Sequence, residues 1–167
     1  MSVNLSSSDL SDPDLLKMIS SVVASSGIEP SDLVVEVTES VLLNDSKETM
    51  DFLTGLKELG LGLALDDFGT GFASISYVRR FPFDHLKLDI SFIAELPESE
   101  RSMTPVKDIS RLATSMGMVG IAERIERQER WDALLELGWD YGQGFLFSRP
   151  LDAVDCEALL DGQLSLQ

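Results

Sequence analysis

Residues 61–71 read Leu61-Gly62-Leu63-Ala64-Leu65-Asp66-Asp67-Phe68-Gly69-Thr70-Gly71, an apolar run that ends in two adjacent acids and a glycine-rich turn. Successive side chains of a strand point to opposite faces, so two adjacent acids fit only where the strand is ending. Carboxylates at such a place cost free energy unless a cation lies between them, and oxygen ligands alone favour Mg²⁺ or Mn²⁺. We therefore predict a metal site at this strand end; the simpler alternative is that Asp66 and Asp67 only cap a helix.

Acids or amides also follow apolar strands at other points of the chain. These strand-end residues are Asn4, Glu36, Glu39, Asp89, Glu123, Glu126 and Gln143. One acid at a strand end is common, but such residues at nearly every strand end indicate a ring of ligands. Taken singly, Glu36 and Glu123 can equally be ion-paired structural acids, and Glu39 and Glu126 solvated helix starts. Lys87 lies within a predicted buried strand, where an unpaired lysine is rare, and this favours a role in the site.

The order of strands and helices predicts the fold class. Apolar strands alternate with amphipathic helices at a spacing of roughly 25–30 residues, the size of a parallel β-α unit. The strands are apolar throughout, as expected when both faces of a parallel sheet are buried. Functional groups at the ends of several strands favour a (β/α)₈ barrel over a doubly wound open sheet, which would concentrate ligands at one switch point. The chain shows six such strands, so we predict an α/β fold: an incomplete TIM-type (β/α)₈ barrel with about six of its eight strands.

Composition excludes several classes of protein. The 167 residues are 44% hydrophobic, which is enough for one globular domain with a real core. The net charge of −16 argues against a nucleic-acid polymer or an anionic membrane as partner. No apolar run approaches the ~20 residues of a membrane span. The single cysteine, Cys156, excludes an internal disulfide, and we expect a cytoplasmic protein.

Six motifs occur in an order and at a spacing that identify a family. They are Asn4-Leu5-Ser6, Glu36-Val37-Thr38-Glu39, Asp66-Asp67-Phe68-Gly69-Thr70-Gly71, Lys87-Leu88-Asp89, Ala122-Glu123 with Glu126, and Gln143-Gly144-Phe145 with Pro150. Together they resemble the EAL-domain cyclic di-GMP phosphodiesterases of bacteria, over nearly the whole chain. The resemblance implies a modified TIM barrel that hydrolyses cyclic di-GMP to the linear dinucleotide. We expect 1–167 to form a single EAL-like domain that is truncated at its N-terminus, with 1–6 as the remnant of a barrel strand and 151–167 as a C-terminal helix and tail.

The resemblance implies two bound Mg²⁺ or Mn²⁺ ions. By this analogy Asn4, Glu36 and Asp66 bind the first ion. Asp66 and Asp67 hold the second, with Glu123 nearby as a ligand or as the catalytic base. Two such ions neutralise an anionic phosphodiester and lower the pKa of an attacking water, so the implied chemistry agrees with the ligand types.

The remaining motif residues acquire roles from the same resemblance. Lys87 contacts the attacking water or the phosphate, Glu126 is a further catalytic residue, and Gln143 and Asp89 join Lys87 in binding substrate. Glu39 holds the loop 69–74, and its residues Gly69, Thr70 and Gly71 couple dimerisation to metal binding. Because a parallel sheet that lacks two strands has apolar edges, we expect a homodimer or association with another polypeptide.

Two departures from the family pattern leave a second function open. The Glu-Ala-Leu motif on the strand before Asn-Leu-Ser is absent, and with it a metal-binding glutamate. Arg124 stands where the family usually has a glycine, and it can either disturb the turn or bring a cation near the substrate. The first hypothesis is therefore a cyclic di-GMP phosphodiesterase, and the second is a catalytically silent module that binds cyclic di-GMP or a protein. A different TIM-type metal hydrolase is a third, more remote hypothesis.

Overall fold

Six parallel strands form one sheet in which neighbours in sequence are neighbours in space. The computed structural model describes residues 1–42, 46–70, 75–97 and 99–161. The strands are β1 (Ser2–Leu5), β2 (Val34–Thr38), β3 (Gly62–Phe68), β4 (His85–Leu88), β5 (Val119–Ala122) and β6 (Tyr141–Gly142). β1 and β6 are the outer strands, and the described residues do not close the sheet into a complete barrel.

Helices connect the strands and cover the outer face of the sheet. They are α1 (Leu15–Ser26), α2 (Glu39–Leu42), α3 (Lys47–Glu58), α4 (Ile75–Val78), α5 (Ile90–Ile93), α6 (Glu100–Ser115), α7 (Gln128–Glu136) and α8 (Ala153–Leu160). The short helices α2 and α5 begin directly after their strands, so they border the carboxyl edge of the sheet. None of the helices in the described ranges is long and apolar enough to cross a membrane.

The core lies between the sheet and these helices. The strand residues Leu63, Leu65 and Leu86 are completely buried, as predicted for strands with both faces covered. Leu53 of α3 and Trp139, which precedes β6, are buried in the same cluster. The Trp139 indole nitrogen satisfies its hydrogen bond by donating to the Val106 carbonyl, at 3.2 Å.

Two predicted strand boundaries are wrong. β3 does not end at the two acids but runs through them to Phe68, and its register against β4 shifts between Leu65 and Phe68. Asp67 takes a positive φ of 53° within this irregularity. The chain thus accommodates adjacent acids with a bulge, which re-aims side chains, rather than by ending the strand.

The apolar pattern of the sequence predicts a last strand over residues 141–147, but the observed strand is shorter. β6 stops at Gly142, and the following residues fold back on the segment after β5. The Ile125 amide donates to the Gln143 carbonyl at 3.0 Å, and the Leu146 amide donates to the Ile125 carbonyl at 2.9 Å. Gly144 permits this close approach, since a Cβ there would lie 2.2 Å from the Ile125 backbone nitrogen and oxygen.

Candidate active site

Three carboxylates surround one buried ammonium group at the carboxyl edge of the sheet. Lys87 on β4 is 4% exposed, and its Nζ forms an ion pair with Glu36 of β2. The same Nζ lies 2.6 Å from Glu123 Oε1 and 3.3 Å from Asp66 Oδ1. These four residues come from four consecutive strands or the position just after one, so the parallel register brings them to one place.

The three carboxylates are arranged as ligands for a cation. Glu36, Asp66 and Glu123 each offer one oxygen, and these oxygens all lie within 4.8 Å of one another. With Lys87 among them, one ammonium faces three carboxylates, and two negative charges remain when all four groups are ionised. An oxygen-only, net-negative donor set suits a hard divalent cation such as Mg²⁺ or Mn²⁺, so the residues fit the implied metal.

Burial perturbs the acid–base behaviour of this cluster. It raises the pKa of the Glu123 carboxyl; Lys87 opposes this shift, and the neighbouring Asp66 and Glu36 carboxylates reinforce it. Burial by itself would lower the pKa of Lys87, but hydrogen bonds to Glu123 and Glu36 outweigh it and raise that pKa. Lys87 is therefore firmly cationic, and the raised pKa brings Glu123 closer to taking up a proton.

Asp67 lies beside this cluster. Its backbone amide donates to Asp66 Oδ1 at 2.9 Å, and its positive φ belongs to the bulge of β3. Burial, followed by the charges of Asp66 and Asp89, raises the pKa of the Asp67 carboxyl. Arg124 lies close enough to lower that pKa in turn.

A cleft of about 770 Å³ opens above the trio. It is lined by Asn4, Glu36, Asp66, Lys87, Glu123, Arg124, Glu126, Gly142, Gln143, Gly144, Phe145, Phe147, Ser148, Arg149 and Pro150. Seven predicted site residues are among them, from Asn4 on the outer strand β1 to Gln143 after β6. Asp67, Asp89, Glu39, Gly69 and Thr70 are not part of the lining.

The loop residues after β3 are tied to α2. Glu39 is 2% exposed, and its Oε1 accepts a hydrogen bond from the Gly69 amide at 2.8 Å. Thr70 Oγ1 donates to the Asp67 carbonyl at 3.2 Å. The predicted loop residue Gly71 lies outside the described residues.

Asp89 has a structural contact that is independent of any ligand. It is the N-cap of α5, and its Oδ1 accepts a hydrogen bond from the Ser91 amide at 2.9 Å. Burial by itself would raise the pKa of the Asp89 carboxyl. Hydrogen bonds from Ser91 and Ile90 and the charge of Arg124 outweigh it, so this pKa is lowered.

Sequence reasoning left the role of Arg124 open and assigned no site role to Phe145 and Arg149, which also line the cleft. Arg124 adopts a φ of 52°, a left-handed conformation that costs a non-glycine residue about 1–3 kcal/mol. Arg149 lies over the Phe145 ring at 5.3 Å from its centroid. The available signal was their position within or next to the Ala-Glu and Gln-Gly-Phe motifs, which places them at strand ends.

The tripeptide Glu157-Ala158-Leu159 does occur in this chain, but on α8 and not on a strand. Glu157 is exposed and is not part of the cleft lining. This tripeptide is therefore not one of the strand-end motifs that line the cleft.

Comparison with known proteins agrees with this fold. The EAL domain family model matches residues 1–150. The cyclic di-GMP phosphodiesterase NbdA of Pseudomonas aeruginosa is 36% identical over 160 residues, which cover 96% of this chain and 20% of NbdA. The chain spans about a fifth of the length of such curated relatives.

Solved structures share the architecture. The PaMucR phosphodiesterase in complex with c-di-GMP superposes with a TM-score of 0.87 at 34% identity, covering 93% of this chain and 69% of that one. The manganese and cyclic di-GMP complex of BlrP1 from Klebsiella pneumoniae gives a TM-score of 0.83 at 31% identity, covering 89% of this chain and 38% of that one. These likenesses confirm the predicted fold class, a TIM-type barrel of which this sheet forms six strands.

Proposed function

Because this chain belongs to the EAL domain family, we propose that it hydrolyses one phosphodiester bond of cyclic di-GMP, in a metal-dependent reaction that gives the linear dinucleotide. The observation that carries the proposal is the convergence of Glu36, Asp66 and Glu123 on Lys87 at the floor of a cleft. The names of its relatives supply the substrate class, since NbdA is a cyclic di-GMP phosphodiesterase and PaMucR is in complex with c-di-GMP.

Asn4, Glu36 and Asp66 would hold the first divalent cation, and Asp66 and Asp67 would hold a second one close to Glu123. When bound, such cations neutralise the phosphodiester, acidify a water and stabilise the leaving oxygen. The carboxylates are already held within 4.8 Å of one another, so little rearrangement is needed to bring their oxygens together.

Glu123 serves as the general base in this proposal. Its pKa is raised by burial, and a base with a pKa closer to neutrality accepts a proton from water more effectively. Lys87 orients Glu123 through the 2.6 Å ion pair and presents a positive charge to the phosphate. Glu126 and Gln143 line the same cleft and contact the substrate beyond the reacting bond, and Asp89 positions the adjoining α5.

Glu39 and the loop that follows β3 form the regulatory part of the proposal. The hydrogen bond from Gly69 to Glu39 links α2 to the residues directly after Asp66 and Asp67. Movement of this loop would therefore be transmitted to the metal-binding acids, and we propose that association of two chains acts through it. We also propose one domain for 1–167, with 151–167 as a C-terminal segment, and a cytoplasmic location.

The test is a product assay. The full chain is incubated with cyclic di-GMP and Mn²⁺, and the nucleotides are separated by chromatography. We expect linear dinucleotide from the unmodified chain, and a loss of at least about a hundredfold in Glu123→Gln, since the base is removed. Glu129→Gln, which removes an exposed carboxylate of α7, is the matched control and should retain full activity.

A silent binding module is the second candidate. It is favoured by the left-handed Arg124 beside the proposed base. Calorimetric binding of cyclic di-GMP without any linear product, in Mn²⁺, would replace the phosphodiesterase proposal with this one.

A further inference from the structure

Arg124 occupies an unusual backbone conformation at the mouth of the cleft. Among the described residues, only Asp67 and Arg124 combine a side chain with a positive φ. An aspartate tolerates this region because its short side chain hydrogen-bonds locally, but an arginine has no such compensation. Both flanking residues are held in place: Glu123 pairs with Lys87, and Ile125 is completely buried. The strain is therefore maintained by its neighbours, a situation typical of functional sites.

The guanidinium of Arg124 has no protein partner within the described ranges. It forms neither a hydrogen bond nor an ion pair there, although it lines the cleft and is exposed. The other two cations of the described cleft lining are engaged: Lys87 is surrounded by carboxylates, and Arg149 lies over Phe145. Arg124 is thus a free planar group with several donors that faces the space in which a ligand would lie.

The cleft is otherwise a poor place for an anion. The trio around Lys87 retains negative charge, Glu126 adds another carboxylate, and the chain carries −16 overall. The positive charge of Arg124 acts across this region, since it lowers the pKa of both Asp67 and Asp89. A phosphate group entering the cleft would gain from a cation that forms no hydrogen bond or ion pair with the described residues.

We propose that Arg124 is a substrate-binding residue that grips a phosphate of the bound nucleotide through its guanidinium. This inference rests on the proposed function, because it takes cyclic di-GMP as the ligand. The planar fork of arginine matches two phosphate oxygens, and such charge-assisted pairs are roughly twice as strong as neutral hydrogen bonds. Arg124 lines the cleft from just after the end of β5, at the position where the chain adopts this φ of 52°.

The decisive variant is Arg124→Gly. Glycine adopts a φ of 52° without strain, so the substitution removes the guanidinium while favouring the same backbone. Affinity for cyclic di-GMP is measured by calorimetry in Ca²⁺, which accepts the same oxygen ligands. We expect the Kd to rise about tenfold or more, as for loss of a charged hydrogen-bonding partner, with an unchanged or higher Tm. Arg124→Lys keeps the charge but loses the planar guanidinium. Its Kd should lie between those of the unmodified chain and Arg124→Gly.

Arg111→Ala is the matched control. Arg111 is an exposed cation on α6 outside the cleft lining, so its removal changes the net charge equally and should leave the Kd unchanged. If the unmodified chain binds and Arg124→Gly binds equally well, the role of Arg124 is refuted and the proposed function stands. A fall in Tm that accompanies weaker binding would assign Arg124 a structural role and overturn the proposal. Failure of the unmodified chain to bind would overturn both.

Discussion

At the scale of single residues, Lys87 is the centre of the site. Its ammonium group contacts carboxylates that are separated by up to 87 positions in the sequence, from Glu36 to Glu123. An isolated buried lysine is costly, and three converging carboxylates are equally costly without a cation. Each group therefore stabilises the burial of the others, and the cluster holds its shape before any ligand arrives.

Replacing Lys87 by methionine should expose this mutual dependence. The three carboxylates would then be buried without a counter-charge, and we expect a loss of about 3–5 kcal/mol in the free energy of unfolding. Added Mn²⁺ should restore part of the loss, because a cation that binds only the folded chain stabilises it. Urea denaturation with and without Mn²⁺ measures both effects.

Lys57→Met is the control for Lys87→Met. Lys57 pairs with Asp84 at 2.7 Å, but the two side chains are 32% and 39% exposed. We expect about 1 kcal/mol or less from its removal, with no response to Mn²⁺. Equal losses in the two variants would show that the Lys87 cluster is not the buried charge centre described above.

We predict that the Asp89 carboxylate contributes to the free energy of unfolding in a pH-dependent way. Its carboxylate caps α5, and its folded-state pKa lies below the usual 3.8. A lowered folded-state pKa means that the stabilisation is fully present above pH 3.8 and is lost as the pH falls through the folded value. We expect Asp89→Ala to cost about 1 kcal/mol at pH 7, and this difference to shrink in urea titrations below the usual pKa.

Ser99→Ala provides the reference for Asp89→Ala. Ser99 caps α6 by accepting a hydrogen bond from the Ser102 amide at 3.2 Å, and its hydroxyl does not titrate. The cost of its removal should be the same at every pH. A pH-independent cost for Asp89→Ala as well would contradict the assigned role of the charged carboxylate.

At the scale of elements, the site depends on how β3, β5 and β6 end. The bulge in β3 lets Asp66 and Asp67 follow each other without sending one of them into the core. After β5, the chain carries Glu123 and Arg124 to the cleft and then returns at Ile125 to pair with the segment after β6. The segments that follow β5 and β6 are held together by these backbone hydrogen bonds, and they need a glycine, Gly144, at their closest point.

Gly144→Ala should therefore disrupt the contact between these two segments. The new Cβ would lie 2.2 Å from the backbone of Ile125, where no side-chain rotation can relieve the contact. We expect a loss of about 3 kcal/mol or more, because the hydrogen bonds between the two segments must lengthen as they separate. Arg124 and Gln143 lie on these segments, so nucleotide binding should weaken as well.

Gly117→Ala is the control that separates the effect of the close contact at Gly144 from the effect of backbone strain. Gly117 has a φ of 74°, and a Cβ there would meet nothing within 4 Å. Its replacement should cost only about 1–2 kcal/mol, the penalty for a left-handed residue. If thermal unfolding shows the same loss for both variants, close packing at Gly144 is not the cause.

At the scale of the whole molecule, the sheet has two outer strands. β1 and β6 lie at opposite ends of the strand order, and Val3 and Tyr141 on them are 43% and 59% exposed. Open strand edges with apolar side chains favour pairing with another chain. Such pairing would also cover the cleft from the side of Asn4, which lies on β1.

We predict that the chain associates through these edges. Sedimentation velocity over a range of concentrations should show a species of two chains, and a Val3→Lys substitution on the outer strand should shift the population towards one chain. Met18→Lys, on the exposed face of α1, is the control, since it adds the same charge away from the sheet edges. A single-chain species at all concentrations would refute the prediction.

Much of the architecture was determined by the sequence itself. Strand and helix periodicities are local, so the alternation of elements and the parallel sheet of six strands were predictable without tertiary information. The carboxyl ends of parallel strands must meet at one edge, and six of the nine acids and amides predicted there do line one cleft. The family motifs added the substrate class and the expected metals.

Only the tertiary structure decided the features that depend on contacts between distant residues. The grouping of Glu36, Asp66 and Glu123 around Lys87 requires four strands in register. The bulge at Asp67 and the early end of β6 arise because packing against neighbouring strands overrides local strand preference. Arg124 belongs with these: its residue type was visible in the sequence, but its left-handed conformation and its lack of a hydrogen bond or ion pair among the described residues depend on the chain segments that hold Glu123 and Ile125 in place.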